Sequence, residues 1–298
     1  MRVSIVYNPR SGRGKAQRLA DAIHELASSR GHAITMYDIS RGGIPVTEDL
    51  SDTDRLVIVG GDGTVHHLLP LLTQTKVPFQ HCGTGTANLI CHALKMSRKP
   101  AGVLEQLEID SEPRRIDVPL CNDHPFLIMT SLGMDASVIH RLEESRKLGG
   151  YRAYIKPVIK EILTPRFAHA EVVIDGQPQP QLSKPGILVI ANMPNYGGHF
   201  NPCRDACWDD STLDIAHIAG RTSITSGLRF LALLAKLRAS RCAVGKSITL
   251  QATQSSCVQI DGEKPNTVPS VLNPGHTLRF TLSDQSVFAH APRLLRSS

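Results

Sequence analysis

The residues Val57–Thr64 carry the side chains and the backbone that a phosphate site needs. An apolar, β-branched run typical of a buried strand ends on Gly-Gly-Asp-Gly-Thr, and a helix pattern follows. Glycines allow backbone N–H groups to approach a ligand closely, at the positive end of the following helix. Asp62 adds a carboxylate for a metal or a proton, and Thr64 adds a hydroxyl. The segment therefore predicts a nucleotide phosphate loop, with a plain tight turn as the alternative.

The two best-known phosphate motifs do not describe this chain. A dinucleotide fingerprint needs a third glycine three residues after the second, where this chain has His66. The segment Asn8–Ala16 superficially resembles a nucleoside triphosphate loop, but Ala16 stands where Ser or Thr would bind magnesium, and the early glycine is missing. On its residues alone, that segment also fits a capped turn before a helix. The glycine loops therefore belong to another class.

Length and composition exclude several classes of protein. At 298 residues the chain is long enough for two domains. Its 33 basic and 27 acidic residues give a net charge of +6, which suits anionic nucleotides and anionic lipid headgroups as partners. The basic residues are dispersed and aromatic residues make up only 4%, so nucleic acid is not an expected partner.

Cysteine usage and hydropathy indicate the compartment. The seven cysteines are odd in number and scattered, which is typical of a reducing cytosol rather than of a disulfide framework. The first apolar run, Val3–Tyr7, is too short for a signal peptide, and no stretch approaches the roughly 20 apolar residues of a membrane span. We therefore expect a cytoplasmic protein without a transmembrane segment.

The first third of the chain alternates strands and helices around glycine loops. This order predicts an α/β domain with a parallel sheet flanked by helices, whose ligand loops lie at the carboxyl ends of the strands. The expected strands are Arg2–Tyr7, Ala33–Ile39, Arg55–Val59 and Val77–Cys82, and the expected helices are Lys15–Arg30, His66–Leu72 and a short one ending at Leu94.

From Arg114 onwards, short strand patterns follow one another with turns between them. This texture predicts a β-sandwich-like second domain over residues 118–284, after the α/β domain over residues 1–117. Two helical patterns interrupt it, Ala136–Leu163 and Thr222–Leu237. The expected strands are Ile116–Cys121, Phe126–Thr130, Ala170–Ile174, Gly186–Ala191, Leu213–Ile218, Ser247–Ala252, Cys257–Ile260 and Thr277–Leu282.

Five further segments join the Gly-Gly-Asp-Gly-Thr loop in order along the chain. They are Asn8–Gly12, Gly85–Leu89, Gly133–Ala136, Pro202–Asp214 and Asp261–Glu263. With all six in this order and spacing, the chain resembles the diacylglycerol kinase catalytic-domain superfamily over nearly its whole length. That group includes sphingosine and ceramide kinases and soluble bacterial lipid kinases, and it is distantly akin to NAD kinases.

The resemblance implies an NAD-kinase-like and diacylglycerol-kinase-like fold, in which ATP binds in a cleft between an α/β domain and a β-rich domain. In that fold the last strand returns to the first domain, so residues 285–298 are assigned there. ATP and Mg²⁺ are the implied cofactors. The implied nucleotide contacts are Asn8, Ser11 and Gly12 in a first loop, Gly61, Asp62, Gly63 and Thr64 in the main loop, Gly85, Thr86 and Asn88 in a second loop, and Ser40, close to where relatives place a threonine.

The resemblance also implies catalytic residues and a second metal site. Glu263 matches the general base of the family, which takes the proton of the acceptor hydroxyl, and Asp62 is the other implied catalytic residue. Asp210 matches a position that binds a structural Mg²⁺ or Ca²⁺ ion, together with the backbone carbonyls of Cys207 and Thr212. The alternatives are a solvated β-turn at Glu263 and a metal-free acidic turn at Asp210.

Three departures from the family pattern bear on the implied sites. His66-His67 replaces a frequent Asn-Glu pair after the main loop. Leu89 occupies a position that many members fill with Asp, which weakens the case for a carboxylate network beside Asp62. In the metal loop, Ser211-Thr212 stands where Gly-Leu is usual.

The implied activity is an ATP-dependent lipid kinase acting on a diacylglycerol-like, sphingoid-like or ceramide-like hydroxyl. Two alternatives stay open, a kinase of a soluble hydroxyl compound and a catalytically silent nucleotide-binding regulator. A lipid has to be met at a membrane surface, and the segment Arg221–Arg241 combines a leucine stripe with basic residues and no acidic ones. It therefore predicts a helix for peripheral membrane contact, with a core-facing helix as the alternative. A homodimer is also left open.

Overall fold

The computed structural model describes residues 1–144, 152–196, 201–220 and 241–291. The chain divides into two compact units, the first Met1–Ile116 with Gln285–Ser298 and the second Asp117–Asp284. The division between them lies one residue from the expected one. Each unit has a hydrophobic core of its own.

Parallel strands form the sheet of the first unit. They are β1 (Arg2–Tyr7), β2 (Ala33–Asp38), β3 (Arg55–Gly60) and β4 (Phe79–Gly83), paired in the order β2-β1-β3-β4. All three pairings are parallel, as predicted, and Gly60 lies directly beside Gly83 in the register of β3 and β4. The main loop and the second loop therefore start side by side, at the carboxyl ends of β3 and β4.

Among the residues that the structure describes, four α-helices accompany this sheet. They are α1 (Lys15–Ser29), α2 (Asp62–Thr75), α3 (Leu89–Ala93) and α4 (Pro100–Leu107), with short 3₁₀ helices at Ser11–Gly14, Ile39–Arg41 and Glu48–Leu50. The helix α4 was not predicted, because eight residues are too few for a clear helical period. Its buried residues Val103, Leu104 and Leu107 share a core with Ile23 and neighbouring residues of α1.

The remaining strands belong mainly to the second unit. In chain order they are β5 (Arg114–Cys121), β6 (His124–Pro125), β7 (Met129–Leu132), β8 (Ala170–Ile174), β9 (Gln177–Pro178), β10 (Gly186–Ala191), β11 (Leu213–Ala219), β12 (Arg241–Gly245), β13 (Ile248–Ala252), β14 (Ser256–Ile260), β15 (Val271–Leu272) and β16 (Thr277–Ala289). One antiparallel sheet has the order β12-β11-β10-β7-β14-β15, and a second set of antiparallel strands has the order β16-β13-β8-β9.

One buried cluster joins the two sets of strands in the second unit. Leu188 and Ile190 of β10 belong to it together with Leu250 of β13. The rings of Phe126 and Phe280 meet edge to face with their centroids 6.3 Å apart. Alternating inward residues from two facing sheets are the pattern of a sandwich, so the predicted β-sandwich-like domain is confirmed.

In the described part of the second unit, the helices are α5 (Met134–Glu144) and α6 (Arg152–Leu163). They correspond to the broken helix predicted over residues 136–163. The predicted helix Thr222–Leu237, which is the core of the proposed membrane segment, lies outside the described residues. Within the described ranges, no helix has the length and apolar character that crossing a membrane requires.

The last strand is longer than predicted and belongs to both units. Residues 277–280 of β16 pair with β13 in the second unit. Ala289, at the other end of β16, pairs in parallel with Phe79 of β4 in the first unit. The chain therefore re-enters the first unit with this strand.

Candidate active site

The first loop follows β1 and is shaped by its own polar groups. Asn8 donates its N–H to the carbonyl of Val59 in β3 (3.0 Å), and its side-chain oxygen accepts the N–H of Arg10 (3.1 Å). Gly12 and the two residues after it have positive φ angles of 61°, 58° and 83°. The Asn8 side chain thus caps a turn, which was the alternative reading of the sequence, and its contact with a phosphate stays a prediction.

Gly12 brings the first loop against the second. A β-carbon at Gly12 would lie 2.6 Å from the carbonyl oxygen of Thr84, which is closer than real side chains come. Thr84 also donates its hydroxyl to the hydroxyl of Ser11 (2.7 Å). The two loops are therefore in backbone contact, and the structure brings Ser11 and Gly12 together beside the second loop.

Asp62 connects the main loop to the helix after the second loop. Its two carboxylate oxygens accept the backbone N–H groups of Leu89 (3.0 Å) and Ile90 (3.2 Å), at the start of α3. These N–H groups have no partner within the helix, and the helix dipole favours a negative charge there. Asp62 is also the first residue of α2. That helix was expected to begin only at His66, because glycine and aspartate have low helix propensities.

Gly63 and Thr64 lie in the first turn of α2. The Thr64 side chain is buried, and a β-carbon at Gly60 would lie 2.3 Å from its hydroxyl oxygen. Gly63 is partly exposed. The Thr64 side chain therefore packs on the end of β3, and contact of either residue with a nucleotide stays a prediction.

Asn88 holds the second loop in place. It has a positive φ of 51°, is 1% exposed and donates its side-chain N–H to the carbonyl of Gly85 (2.8 Å). Gly85 in turn lies against the main loop, because a β-carbon at Gly85 would lie 3.0 Å from the α-carbon of Gly61. Thr86 is exposed. The structure thus brings Gly61, Gly85 and Asn88 together, with Thr86 open to solvent.

A buried pair, His81 and Cys91, supports the strand ends from which these loops start. His81 Nε2 lies 3.1 Å from the carbonyl oxygen of Gly60, and Cys91 Sγ accepts the N–H of Gly83 (3.2 Å). Burial lowers the pKa of the His81 imidazole and raises the pKa of the Cys91 thiol, so both side chains are neutral. The only sequence signal for this support was a histidine within an apolar strand.

Ser40 forms its hydrogen bonds away from the glycine loops. Its N–H (2.9 Å) and its hydroxyl (2.8 Å) both donate to the Asp38 carboxylate. This interaction caps the 3₁₀ helix Ile39–Arg41, on which Ser40 is exposed. Hydrogen bonding therefore does not join Ser40 to the other predicted nucleotide contacts, and its role stays a prediction.

In the second unit, Glu263 follows a tight two-residue turn. Ile260 and Glu263 exchange both of their backbone hydrogen bonds (3.0 and 2.9 Å) across Asp261 and Gly262. These two central residues have positive φ angles of 50° and 80°, which is the hairpin turn that Asp-Gly sequences favour. The turn considered as the alternative is therefore present, and Glu263 lies partly exposed at its end.

The side chain of Asp261 anchors this turn to another segment. It is 6% exposed, and its carboxylate accepts three consecutive backbone N–H groups. The donors are Leu127 (2.9 Å), Ile128 (2.8 Å) and Met129 (3.0 Å). Hydrogen bonds to a carboxylate are stronger than those between neutral groups, so the turn is held firmly on the segment that leads into β7. The sequence indicates Asp261 as part of a motif and of a turn, but not as the anchor of that turn.

Asp135, at the start of α5, is a buried carboxyl group in the same unit. Its side chain is 6% exposed. The hydroxyls of Ser131 and Tyr196 donate to one carboxylate oxygen, and the other oxygen has no hydrogen-bond partner among the described residues. Burial raises the pKa of Asp135 to about 7. The residue belongs to a motif noted in the sequence, but its burial depends on packing that a motif does not reveal.

The predicted metal loop is closed by hydrogen bonds of its own. One carboxylate oxygen of Asp210 accepts the N–H (3.0 Å) and the hydroxyl (2.7 Å) of Thr212. The Cys207 thiol donates to the Asp209 carboxylate (2.8 Å). Among the residues that the structure describes, no group of three His, Cys, Asp or Glu side chains could hold a metal ion. A cation here would rest on Asp210 and backbone carbonyls, and it stays a prediction.

The raised pKa of Asp135 predicts a pH-dependent effect on stability. The folded protein holds this proton up to a pH of about 7, whereas the ordinary pKa is 3.8, so ionisation destabilises the fold as pH rises between these values. Asp135→Asn cannot ionise. We expect its Tm, relative to wild type, to rise by roughly 5 °C between pH 4 and pH 8 in thermal melts.

Asp123→Asn, which alters an exposed carboxylate in a turn of the same unit, is the matched control for this measurement. Its Tm should follow that of the wild type throughout. A Tm difference for Asp135→Asn that does not change with pH would show that Asp135 is ionised across the whole range.

Comparison with known proteins assigns both units to one family. Residues 2–121 match the diacylglycerol kinase catalytic domain, and residues 129–279 match the YegS C-terminal NAD kinase beta sandwich-like domain. A Staphylococcus haemolyticus protein named "Putative lipid kinase" is 30% identical over 235 residues, which are 72% of this chain and 71% of that protein. A Mycobacterium tuberculosis protein named "Diacylglycerol kinase" is 25% identical over 246 residues, which are 79% of this chain and 78% of that protein.

Coverage and structure agree with this assignment. The chain spans 53–79% of the length of curated relatives that it matches, and 66% of a Synechocystis relative. A crystal structure of a "putative diacylglycerol kinase" from Bacillus anthracis str. Sterne has the same fold, with a TM-score of 0.69 and 21% identity over 95% of this chain and 94% of that one. The chain therefore belongs to the diacylglycerol kinase catalytic-domain family, which makes it a lipid-kinase-like protein.

Proposed function

We propose that this protein transfers the γ-phosphoryl group of ATP to a hydroxyl group of a lipid, with Mg²⁺ as the cofactor and Glu263 as the general base. The acceptor is a diacylglycerol-like, sphingoid-like or ceramide-like lipid. One observation carries the proposal, the direct backbone contact of three glycine loops at the carboxyl ends of parallel strands.

The loops suit the phosphates of ATP in shape and in charge. Catalysis of phosphoryl transfer consists almost entirely of positioning the phosphates and stabilising their charge. Glycines leave no β-carbon between the backbone N–H groups and a phosphate, and the 14-residue helix α2 directs its positive end to the main loop. Exposed basic side chains of the first loop, Arg10, Arg13 and Lys15, add positive charge.

Asp62 is the residue that would hold the Mg²⁺ of Mg-ATP. Each of its oxygens accepts one N–H group and keeps a further lone pair, so the carboxylate can fix α3 and still bind a hydrated cation. Bound Mg²⁺ neutralises charge that develops on the phosphates. Leu89 supplies its backbone N–H to this arrangement and no second carboxylate.

Glu263 would accept the proton of the lipid hydroxyl as the new phosphorus–oxygen bond forms. A general base has to stay within hydrogen-bond reach of that proton. The two-residue turn and the Asp261 anchor hold the backbone on which Glu263 stands, and the partial exposure of Glu263 leaves it accessible to a substrate. These features support the role that the family resemblance implies.

The choice of a lipid acceptor is supported by the names of the relatives, and two alternatives remain. A soluble hydroxyl compound could use the same loops. A nucleotide-binding regulator needs no base, and the intact Asp261-Gly262-Glu263 turn speaks against it. Peripheral membrane contact through Arg221–Arg241 and a homodimer are further proposals.

A screen with radiolabelled ATP separates these alternatives. With Mg²⁺ and a panel of extracted lipids, we expect label to move from ATP into the lipid fraction. A parallel panel of water-soluble hydroxyl compounds is the matched arm. Label in the soluble arm alone would contradict the lipid acceptor, and ATP binding without transfer to either panel would favour the regulator.

Gly12→Ala tests whether the close contact between the first and second loops is needed for ATP binding. Gly42→Ala is the matched control. Both positions have positive φ, 61° and 77°, so alanine costs about 1 kcal/mol at either one. An added β-carbon meets the Thr84 carbonyl at Gly12 but no atom within 4 Å at Gly42. We expect the KM for ATP to rise roughly tenfold or more in Gly12→Ala and to change by less than about twofold in Gly42→Ala. Equal changes of the KM for ATP in the two variants, measured by steady-state kinetics, would contradict a role of this loop contact in ATP binding.

Glu263→Gln tests the general base. The amide keeps the shape of the side chain but cannot take a proton, so kcat should fall by roughly two to four orders of magnitude, while ATP binding is retained. Glu171→Gln, at an exposed position on β8, is the control and should leave kcat unchanged. Turnover at the wild-type rate in Glu263→Gln would remove Glu263 from the mechanism.

A further inference from the structure

A line of three hydrogen bonds connects Asp135 to the turn that carries Glu263. The N–H of Gly262 donates to the side-chain oxygen of Gln259 (2.7 Å). The side-chain N–H of Gln259 donates to the hydroxyl of Ser131 (2.7 Å), and that hydroxyl donates to the Asp135 carboxylate. The line therefore begins at the backbone N–H of the residue before Glu263 and ends on a buried acid.

The sandwich places these links opposite one another. The strands β7 and β14 are antiparallel neighbours, and Ser131 lies directly across from Gln259 in their register. Asp135 follows Ser131 by four residues, beyond the turn from β7 into α5. Ser131 is 0% and Gln259 is 1% exposed, so water does not compete for the two hydrogen bonds of the Ser131 hydroxyl.

All three hydrogen bonds run in one direction, toward Asp135. The amide of Gln259 has one accepting and one donating end, and the N–H of Gly262 uses the accepting end. The donating end needs an acceptor, which is Ser131, and the hydroxyl hydrogen of Ser131 then needs an acceptor too. Asp135 provides it, and hydrogen bonds aligned in this way strengthen one another by polarisation.

We propose that Asp135, Ser131 and Gln259 are positioning residues for the general base. They fix the Gly262 peptide, and through it they keep Glu263 where it can take the proton of the acceptor hydroxyl. This inference rests on the function proposed above for Glu263. It differs from the contribution of Asp261, whose carboxylate holds the preceding residue of the turn on the N–H groups of another segment.

Ser131→Ala removes the middle link, and Thr130→Val is its matched control. Thr130 is the neighbouring residue of β7, is equally buried at 0%, and its hydroxyl has no hydrogen-bond partner in the described part of the chain. We expect Ser131→Ala to lower kcat roughly 10- to 100-fold with the KM for ATP within about twofold of wild type. Thr130→Val should keep both values. Equal losses of kcat in the two variants would overturn the proposal.

A double-mutant cycle with Glu263→Gln separates positioning from general support of the fold. If Ser131 acts through Glu263, Ser131→Ala lowers kcat no further in the Glu263→Gln background, because no base is left to misplace. If Ser131 only supports the fold, the two losses multiply, and the proposal fails. Should Ser131→Ala not fold, Gln259→Met, which removes the hydrogen bonds to both Gly262 and Ser131, takes its place in the same cycle, with the same two outcomes.

The cycle also distinguishes failure of this inference from failure of the proposed function. Turnover at the wild-type rate in Glu263→Gln alone would overturn the general base, and the positioning role with it. A large loss in Glu263→Gln together with wild-type turnover in Ser131→Ala would overturn the positioning role and leave the general base in place.

Discussion

Close approach of three backbone segments is the constraint on which the first unit depends, and the Asp62 carboxylate maintains it. The loops touch where glycines leave no β-carbon, as between Gly12 and Thr84 or between Gly61 and Gly85. Such glycine contacts contribute little van der Waals attraction, because few atoms meet. The charged hydrogen bonds from Asp62 to the start of α3 supply the missing attraction. Asp62 therefore has a structural role in the loop, in addition to the role in Mg²⁺ binding that we propose for it.

The second unit uses the same device in a different fold. Asp261 also stands beside a glycine in a turn, and its carboxylate also accepts backbone N–H groups from a distant segment. In both units an aspartate beside a glycine therefore holds a loop or turn on a distant backbone segment. In the second unit, Asp261 fixes the turn, and Glu263 at the end of the same turn stays partly exposed. This arrangement suits the proposed mechanism, in which Glu263 must be accessible to the acceptor hydroxyl.

The sequence predicted those strands that can be recognised from their own residues and from the turns beside them. The strands Arg2–Tyr7, Ala170–Ile174 and Gly186–Ala191 were predicted with their observed bounds, because each is an apolar run between clear turns. The partners of Asp62 could not be predicted, since they lie 27 and 28 residues away and meet it only in the folded sheet. The role of Gln259 could not be predicted for a related reason. A single polar residue in an apolar strand does not show that Ser131 lies opposite it in the neighbouring strand.

The path of the chain also has a consequence for biosynthesis. The chain leaves the first unit after Ile116 and returns at Gln285. There Ala289 pairs with Phe79, and the N–H of His290 donates to the Phe79 carbonyl (2.8 Å). A ribosome must therefore make the whole second unit before the edge of β4 receives this partner, and a nascent sheet with an open edge is prone to wrong pairing. The second unit is continuous in sequence, so the half of the protein that is synthesised first is completed last.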